Sequence, residues 1–257
     1  MLRQVCLAAP ALAPLVPQLK QWLGLGTPYA DPHVAHWGLG NAVFTLGAQC
    51  LEVVAPVAAS APLHRFLASH PQGAGYIVIL NDPHLADRRQ HLQACGARLV
   101  TDMGVPGFHT LQVHPRDAGA CMLEFNHTEG CQGWAGPYAP GGPDWQPAPA
   151  GAVVRGFSHV RLRADDPQAL AARWGQLLGA SATPLGPDEW VLALDGGQIR
   201  FAASTAQAPA GLADVGLRVG DAPALLAHAA QLGMRVDAGA QRVQAGGVWF
   251  ELSSDAC

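Results

Sequence analysis

The sequence has few charged residues, no long apolar run and no run of basic residues. Asp, Glu, Lys and Arg make up 13% of the 257 residues and leave a net charge of −4. Because nucleic acids are recognised through clustered positive charge, this composition argues against nucleic acid as a partner. No apolar stretch is long enough to cross a bilayer, so we expect no membrane association. Hydrophobic residues make up 49%, ample material for one large domain or two of ordinary size.

Cysteine occurs six times, with no C-x-x-C and no regular spacing. The six residues are Cys6, Cys50, Cys95, Cys121, Cys131 and Cys257. Three of them lie in predicted strands beside aliphatic residues, where a thiol usually serves as a small core side chain. We therefore predict a reducing, cytoplasmic environment and no disulfide framework.

A single carboxylate inside an apolar strand recurs three times, in CLEVVAP (50–56), CMLEFNH (121–127) and VWFELSS (248–254). Side chains alternate between the two faces of a strand, so Glu52 has apolar neighbours whichever face it occupies. A charge in such a place is costly unless it is paired, protonated or bound to a cation. The recurrence predicts either a repeated structural ion pair or the repeated wall of a binding cleft.

An apolar strand, a helix and several further extended segments recur four times along the chain. The opening segments are LRQVCLAA, GYIVILNDP, FSHVRLRADDP and DVGLRVGDAP. In the last three, an acidic residue and a proline are placed to start the following helix. The order predicts an α+β fold of four β-α-β-β-β modules, with helices on one side of the sheets.

A Gly- and Pro-rich segment separates the second and third modules. It reads as an interdomain linker. However, Trp134, Tyr138 and Trp145 are large aromatic residues that a free linker would not expose, so we expect a lid packed over the first module pair. We place the first domain at 1–130, the linker or lid at 131–152 and the second module pair at 153–257.

This modular order resembles the vicinal oxygen chelate superfamily, which includes glyoxalase I, extradiol dioxygenases and bleomycin-resistance proteins. HWGLGNAVFTLGAQCLEVVAP (36–56) is similar to the glyoxalase-like domain pattern, in which a Gly-rich stretch and Asn precede a strand ending L-E-[VI]-[IV]-A-P. That resemblance covers residues 1–130. The second half resembles only the superfamily, through SHVRLRADDP and GGVWFEL, and looks partly degenerate. The resemblance implies two paired, curved mixed sheets with helices packed outside.

The resemblance also implies a divalent metal, such as Mn, Ni, Zn, Fe or Mg, between opening and closing strands. The opening positions are Gln4, Gly75, His159 and Asp214, and the closing positions are Glu52, Glu124, Phe201 and Glu251. His159, Asp214 and Glu251 form the predicted metal set, similar to that of extradiol dioxygenases with Asp replacing one His. Neither half has a complete set, so a cleft with no metal stays open as an alternative.

We predict that Glu52 and Glu124 are the catalytic residues of a cleft in the first half. The residues predicted to contact substrate are His36, Asn41, His109, His127 and Trp134. His36 and Asn41 lie within the family-like stretch, His109 and His127 lie on predicted cleft strands, and Trp134 lies on the predicted lid.

The function predicted from the resemblance is metal-assisted proton transfer next to a carbonyl, as in a glyoxalase-type lyase or isomerase. One alternative is a protein that sequesters a small molecule without turnover, as bleomycin-resistance proteins do. Others are an extradiol-type dioxygenase working from the second half, and a purely structural role for one half. A small molecule is the expected ligand, and a homodimer is an open expectation because superfamily members pair modules within or between chains.

Overall fold

A computed structural model describes residues 1–254, so Cys257 lies outside the described part of the chain. It contains four modules, each opened by a strand that runs into a helix. Module one comprises β1 (Leu2–Ala8), α1 (Leu15–Leu23), β2 (Leu39–Leu46) and β3 (Gln49–Pro56). Module two comprises β4 (Ala74–Asn81), α3 (Leu85–Ala94), β5 (Leu99–Val105), β6 (Phe108–Val113) and β7 (Met122–Thr128).

The second half repeats this order with a complete set of strands in each module. Module three comprises β8 (Val154–Ala164), α5 (Pro167–Leu178), β9 (Thr183–Gly186), β10 (Glu189–Leu194) and β11 (Gly197–Ala203). Module four comprises β12 (Gly211–Val219), α6 (Ala222–Gln231), β13 (Arg235–Asp237), β14 (Arg242–Ala245) and β15 (Val248–Ser254). Short helices α2 (Leu63–Ser69) and α4 (Pro115–Ala118) and 3-10 turns at Pro32–Trp37 and Ala139–Gly141 lie in the connections.

Acidic caps start the module helices of the second half, as the sequence predicts. Asp166 accepts a hydrogen bond from the Ala169 backbone N–H, and Asp221 accepts one from Ala224, with proline in the first turn of each helix. In module two the corresponding Asp82 instead binds the His84 N–H and Arg88, and α3 begins without a side-chain cap.

The modules pair in sequence order to form two halves. The opening strands β1 and β4 are antiparallel neighbours, as are β8 and β12, and each runs parallel to the closing strand of its own module. Module one has only an isolated bridge, Tyr29 to Val43, in place of the first strand of its meander. The α+β fold of paired, curved mixed sheets is thereby confirmed.

The two halves share one core. Strands β12 and β4 are joined through one pair of facing residues, Leu212 and Gly75. On the outside, the Trp22 indole of α1 donates to the Leu225 carbonyl of α6 at 3.1 Å and packs edge-on against Phe250. Arg88 of α3 donates to carbonyls at the end of α5. The helices therefore hold the halves together behind the sheets, and the concave faces are left for binding.

Two simpler observations bear on the environment of the chain. Among residues 1–254, no helix is both long and apolar enough to cross a membrane. The five cysteines within that range are all free thiols, and four of them are buried. The four buried thiols pack among core side chains.

Candidate functional site

Three glutamates occupy one equivalent position on the closing strands. Glu52 lies opposite Cys6 on β1, Glu124 opposite Ile79 on β4, and Glu251 opposite Gly216 on β12. The three carboxylates singled out by the sequence therefore lie at related places on the two concave faces. Their surroundings differ sharply between the halves.

The strand register corrects two of the eight predicted module positions. Within each half, the antiparallel opening strands relate the two modules by a local twofold arrangement, which makes Ile77, rather than Gly75, the counterpart of Gln4. The same register places Arg200 opposite Arg161, at the closing position of module three, while Phe201 faces the core against Trp174. Sequence alone could not separate adjacent residues of a strand, because a shift of one residue exchanges the two faces.

A cavity of about 390 Å³ lies in the concave face of the first half. Glu52 and Glu124 both line it, together with Gln4 and Gln112. The remaining wall is mostly apolar and includes Val54, Tyr76, Ile77, Ile79, Met103 and Phe108. Helix α2 contributes Leu63 at one end. The size and lining are those of a site for a small molecule.

Glu52 is buried and held by amide groups on two strands. Gln4 Nε2 on β1 donates to its Oε2 at 2.8 Å, and Asn41 Nδ2 on β2 donates to its Oε1 at 2.6 Å. Burial, with a smaller contribution from the nearby charge of Glu124, raises the pKa of Glu52 to about 6 against the lowering effect of its hydrogen bonds. Glu52 therefore gains and loses a proton close to neutral pH.

Glu124 has a similar environment. Gln112 Nε2 donates to its Oε2 at 2.8 Å, and Asn126 Nδ2 donates to its Oε1 at 3.1 Å. Burial raises the pKa of Glu124, against the lowering effect of these two hydrogen bonds. The Thr110 hydroxyl also lines the cavity, lies beside Glu124 and contributes to lowering its pKa.

Only one of the five residues predicted to contact substrate reaches this site. Asn41 binds Glu52. His109 and His127 lie on the opposite strand faces from Gln112 and Glu124, and His109 instead pairs with Asp102 at 2.9 Å.

The other two predicted residues lie away from the cavity wall. His36 is exposed on the 3-10 turn. Trp134 lies between the halves, where its indole donates to Asp195 at 3.3 Å.

Strand alternation and distant pairing explain these outcomes. Gln112 shares its face with Thr110, and Tyr138 reaches Gln4 across 134 positions of sequence. No local pattern in the sequence indicates either of these placements. Gln112 lies three residues from His109 and therefore on the other face of the strand. The sequence does not show which of these two faces is turned towards the cavity.

The concave face of the second half contains a network of ion pairs. Arg161 pairs with Glu251, with Asp214 at 3.3 Å and with Glu189 at 3.2 Å. His159 Nε2 lies 3.0 Å from Glu251. Burial alone would raise the pKa of Glu251, but its bonds to His159 and Arg161 outweigh that effect and lower it to about 2. Glu251 is thus a paired, ionised carboxylate.

The donor sets of neither half suit a metal ion. In residues 1–254, no group of three or more His, Cys, Asp and Glu side chains is arranged to hold one. In the second half the guanidinium of Arg161 lies among Asp214 and Glu251 and already supplies the positive charge. In the first half, amide N–H groups occupy all four carboxylate oxygens of Glu52 and Glu124. The predicted metal set of His159, Asp214 and Glu251 therefore does not fit a bound cation.

The paired modules and their concave cleft give this chain a fold that is also seen in solved structures of the vicinal oxygen chelate superfamily. A triple mutant of 4-hydroxymandelate synthase from Streptomyces coelicolor, a member of that superfamily, is similar with a TM-score of 0.69 and 12% identity, over 98% of this chain and 92% of that chain. A hypothetical protein from Staphylococcus aureus is similar with a TM-score of 0.67 and 9% identity, over 98% of both chains.

Methylmalonyl-CoA epimerase from Mycobacterium tuberculosis is also similar, at 20% identity and a TM-score of 0.44, over 49% of this chain and 86% of that chain. No family model matches the sequence, and no curated protein sequence matches it. At such low identities the likeness establishes the fold alone. The function must be argued from the residues of the cavity.

Proposed function

We propose that the first half binds a small, largely apolar molecule and that Glu52 exchanges a proton with it. The observation that supports this proposal is the pair of buried carboxyl groups, Glu52 and Glu124, in the wall of one apolar cavity. A general base or acid works best when its pKa lies near the working pH, and burial brings that of Glu52 to about 6.

The reaction class proposed is proton transfer next to a carbonyl, without a metal. Glu52 in its ionised form removes the proton. Glu124, whose pKa burial also raises, lies on the same wall and offers a carboxyl group to the substrate oxygen, with the Thr110 hydroxyl beside it. The apolar wall excludes water and holds the rest of the molecule.

The test is incorporation of solvent deuterium into a panel of small ketones, 2-oxo acids and thioesters, followed by proton NMR. We expect exchange of the proton next to the carbonyl, rising through about pH 6 and unchanged by a chelator. Glu52→Gln should reduce the rate by roughly 100-fold or more. Glu251→Gln is the matched control and should leave the rate unchanged once circular dichroism shows that it is folded. Exchange that is insensitive to Glu52→Gln would contradict the proposal.

Sequestration of a small molecule is the second candidate function. It is favoured by the amide donors that occupy the oxygens of both glutamates and hold them in fixed orientations. It predicts that a panel compound raises the melting temperature while no deuterium is incorporated. The cytoplasmic location and the homodimer stay predictions.

A further inference from the structure

The segment 131–148, here called the strap, crosses the first half after β7 and is held at several points. Tyr138 is 1% exposed and Trp145 is 6% exposed, and both pack against Val43 and Cys50. The guanidinium of Arg3, itself fully buried, lies 4.8 Å from the Tyr138 ring centroid and 4.6 Å from that of Trp145. The strap is therefore packed against the site and is more than a connection between the halves.

One hydroxyl of the strap touches the hydrogen-bond networks of both glutamates. Tyr138 OH donates to Gln4 Oε1 at 2.8 Å and lies 3.4 Å from Asn126 Nδ2, which donates to it. Gln4 in turn donates to Glu52, and Asn126 donates to Glu124. A continuous chain of side-chain hydrogen bonds thus joins the two carboxyl groups through Tyr138.

The contact decides which way the Gln4 amide faces. A glutamine side chain can rotate to exchange its oxygen and its NH₂ group, and only one of the two orientations donates to Glu52. With the Tyr138 hydroxyl donating to Oε1, the NH₂ group must face the carboxylate. Without that hydroxyl, the amide is free to present its oxygen to Glu52, where two acceptors would repel each other.

We propose that Tyr138 is a positioning residue for Glu52, holding the Gln4 amide so that Glu52 is correctly arranged only when the strap is in place. The inference rests on the proposed function of Glu52 as the proton-exchanging group, and Tyr138 acts through Gln4. The strap is in this way part of the site.

Several titratable groups face Glu52 or line the same cavity, and Tyr138→Phe alters none of their side chains. They are Cys6, Glu124, Tyr76, Asp31 and His33. Phenylalanine also keeps the ring that packs on Arg3, so a shift in the titration of Glu52 reports the loss of the hydroxyl. Comparison with Gln4→Leu separates the effect that passes through Gln4 from one that passes through Asn126 and Glu124.

The experiment titrates Glu52 in the free protein by NMR of ¹³C-carboxyl-labelled glutamate, with Glu52→Gln used for assignment. Tyr138→Phe should raise the Glu52 midpoint by roughly half a unit to one unit, because a hydrogen bond to the ionised form is lost. Gln4→Leu should give a similar shift. The midpoint shift in the double variant should be about as large as either single shift and smaller than their sum, since both changes remove the same contact. Trp145→Phe is the control within the strap and should leave the midpoint unchanged.

A Glu52 midpoint that Tyr138→Phe leaves unchanged, or shifts from Tyr138→Phe and Gln4→Leu that add fully, would overturn the proposal. The readout needs no substrate, so it separates this inference from the proposed function. If no panel compound exchanges deuterium but the midpoint shifts as expected, the proposed reaction fails and the positioning role stands. If exchange occurs with an unshifted midpoint and an unshifted pH profile in Tyr138→Phe, the positioning role fails alone.

Discussion

Glu52 and Glu251 occupy equivalent positions in the two halves, yet burial and partners move their pKa values in opposite directions. Burial raises that of Glu52 to about 6, whereas Arg161 and His159 bring that of Glu251 to about 2 in spite of burial. Ile79 faces Gln4 across the opening strands of the first half, and Arg161 faces Asp214 at the equivalent place in the second. By the same register, His159 lies where the first half has Ile77. Two basic side chains in place of apolar ones thus separate an open cavity with an exchangeable proton from a face crossed by ion pairs.

The largest expected effect comes from removing the central cation of the second half. Arg161→Ala leaves Asp214 and Glu251 short of a partner in a buried place, and we expect a loss of about 3–5 kcal/mol in the free energy of unfolding. The measurement is urea denaturation near neutral pH. Arg98→Ala, which breaks an exposed pair with Asp117, is the control and should change stability little. Equal losses from the two variants would show that the network of the second half does not stabilise the fold.

The pH dependence of stability should have opposite signs for the two glutamates. For Glu52, the folded protein holds more protons than the unfolded chain between pH 4.5 and about 6, so its contribution falls as pH rises through that window. For Glu251, the contribution is full above pH 4.5 and is lost as pH falls towards about 2.

Denaturation of the two Gln variants from about pH 4 to about pH 7 measures these signs. As pH rises over this range, the free energy of unfolding of Glu52→Gln should increase by about 2 kcal/mol relative to that of the unsubstituted protein. That of Glu251→Gln should decrease by about 1 kcal/mol on the same comparison, which leaves this variant about 3 kcal/mol less stable at about pH 7. Slopes of the same sign would remove the distinction between the halves.

A smaller effect is expected where the halves meet. A Cβ added at Gly75 would lie 2.5 Å from the Leu212 backbone oxygen, so Gly75→Ala should cost about 1–3 kcal/mol through overpacking. Gly26→Ala is the matched control, since nothing lies within 4 Å of its added Cβ. Thermal denaturation checks both variants. If Gly75→Ala proved as stable as Gly26→Ala, close packing of Gly75 against Leu212 would not be needed where the halves meet.

The sequence predicted the modules and three of the four closing positions because strand alternation and helix caps are local signals. It missed Arg200 and Ile77, since the register between strands is set by long-range pairing. The alternation in SHVRLRADDP does place His159, Arg161 and Arg163 on one face, and that signal indicates the ion pairs. The contact of Tyr138 with Gln4 depends on how the strap folds back, which no local pattern records.

The most direct test of the contrast is a ¹³C-carboxyl NMR titration that follows Glu52 and Glu251 in the same sample, with the Gln variants for assignment. We expect a Glu52 midpoint near 6 and a Glu251 midpoint near 2. Midpoints that coincide near the ordinary value of about 4.3 for glutamate would contradict the difference between the halves.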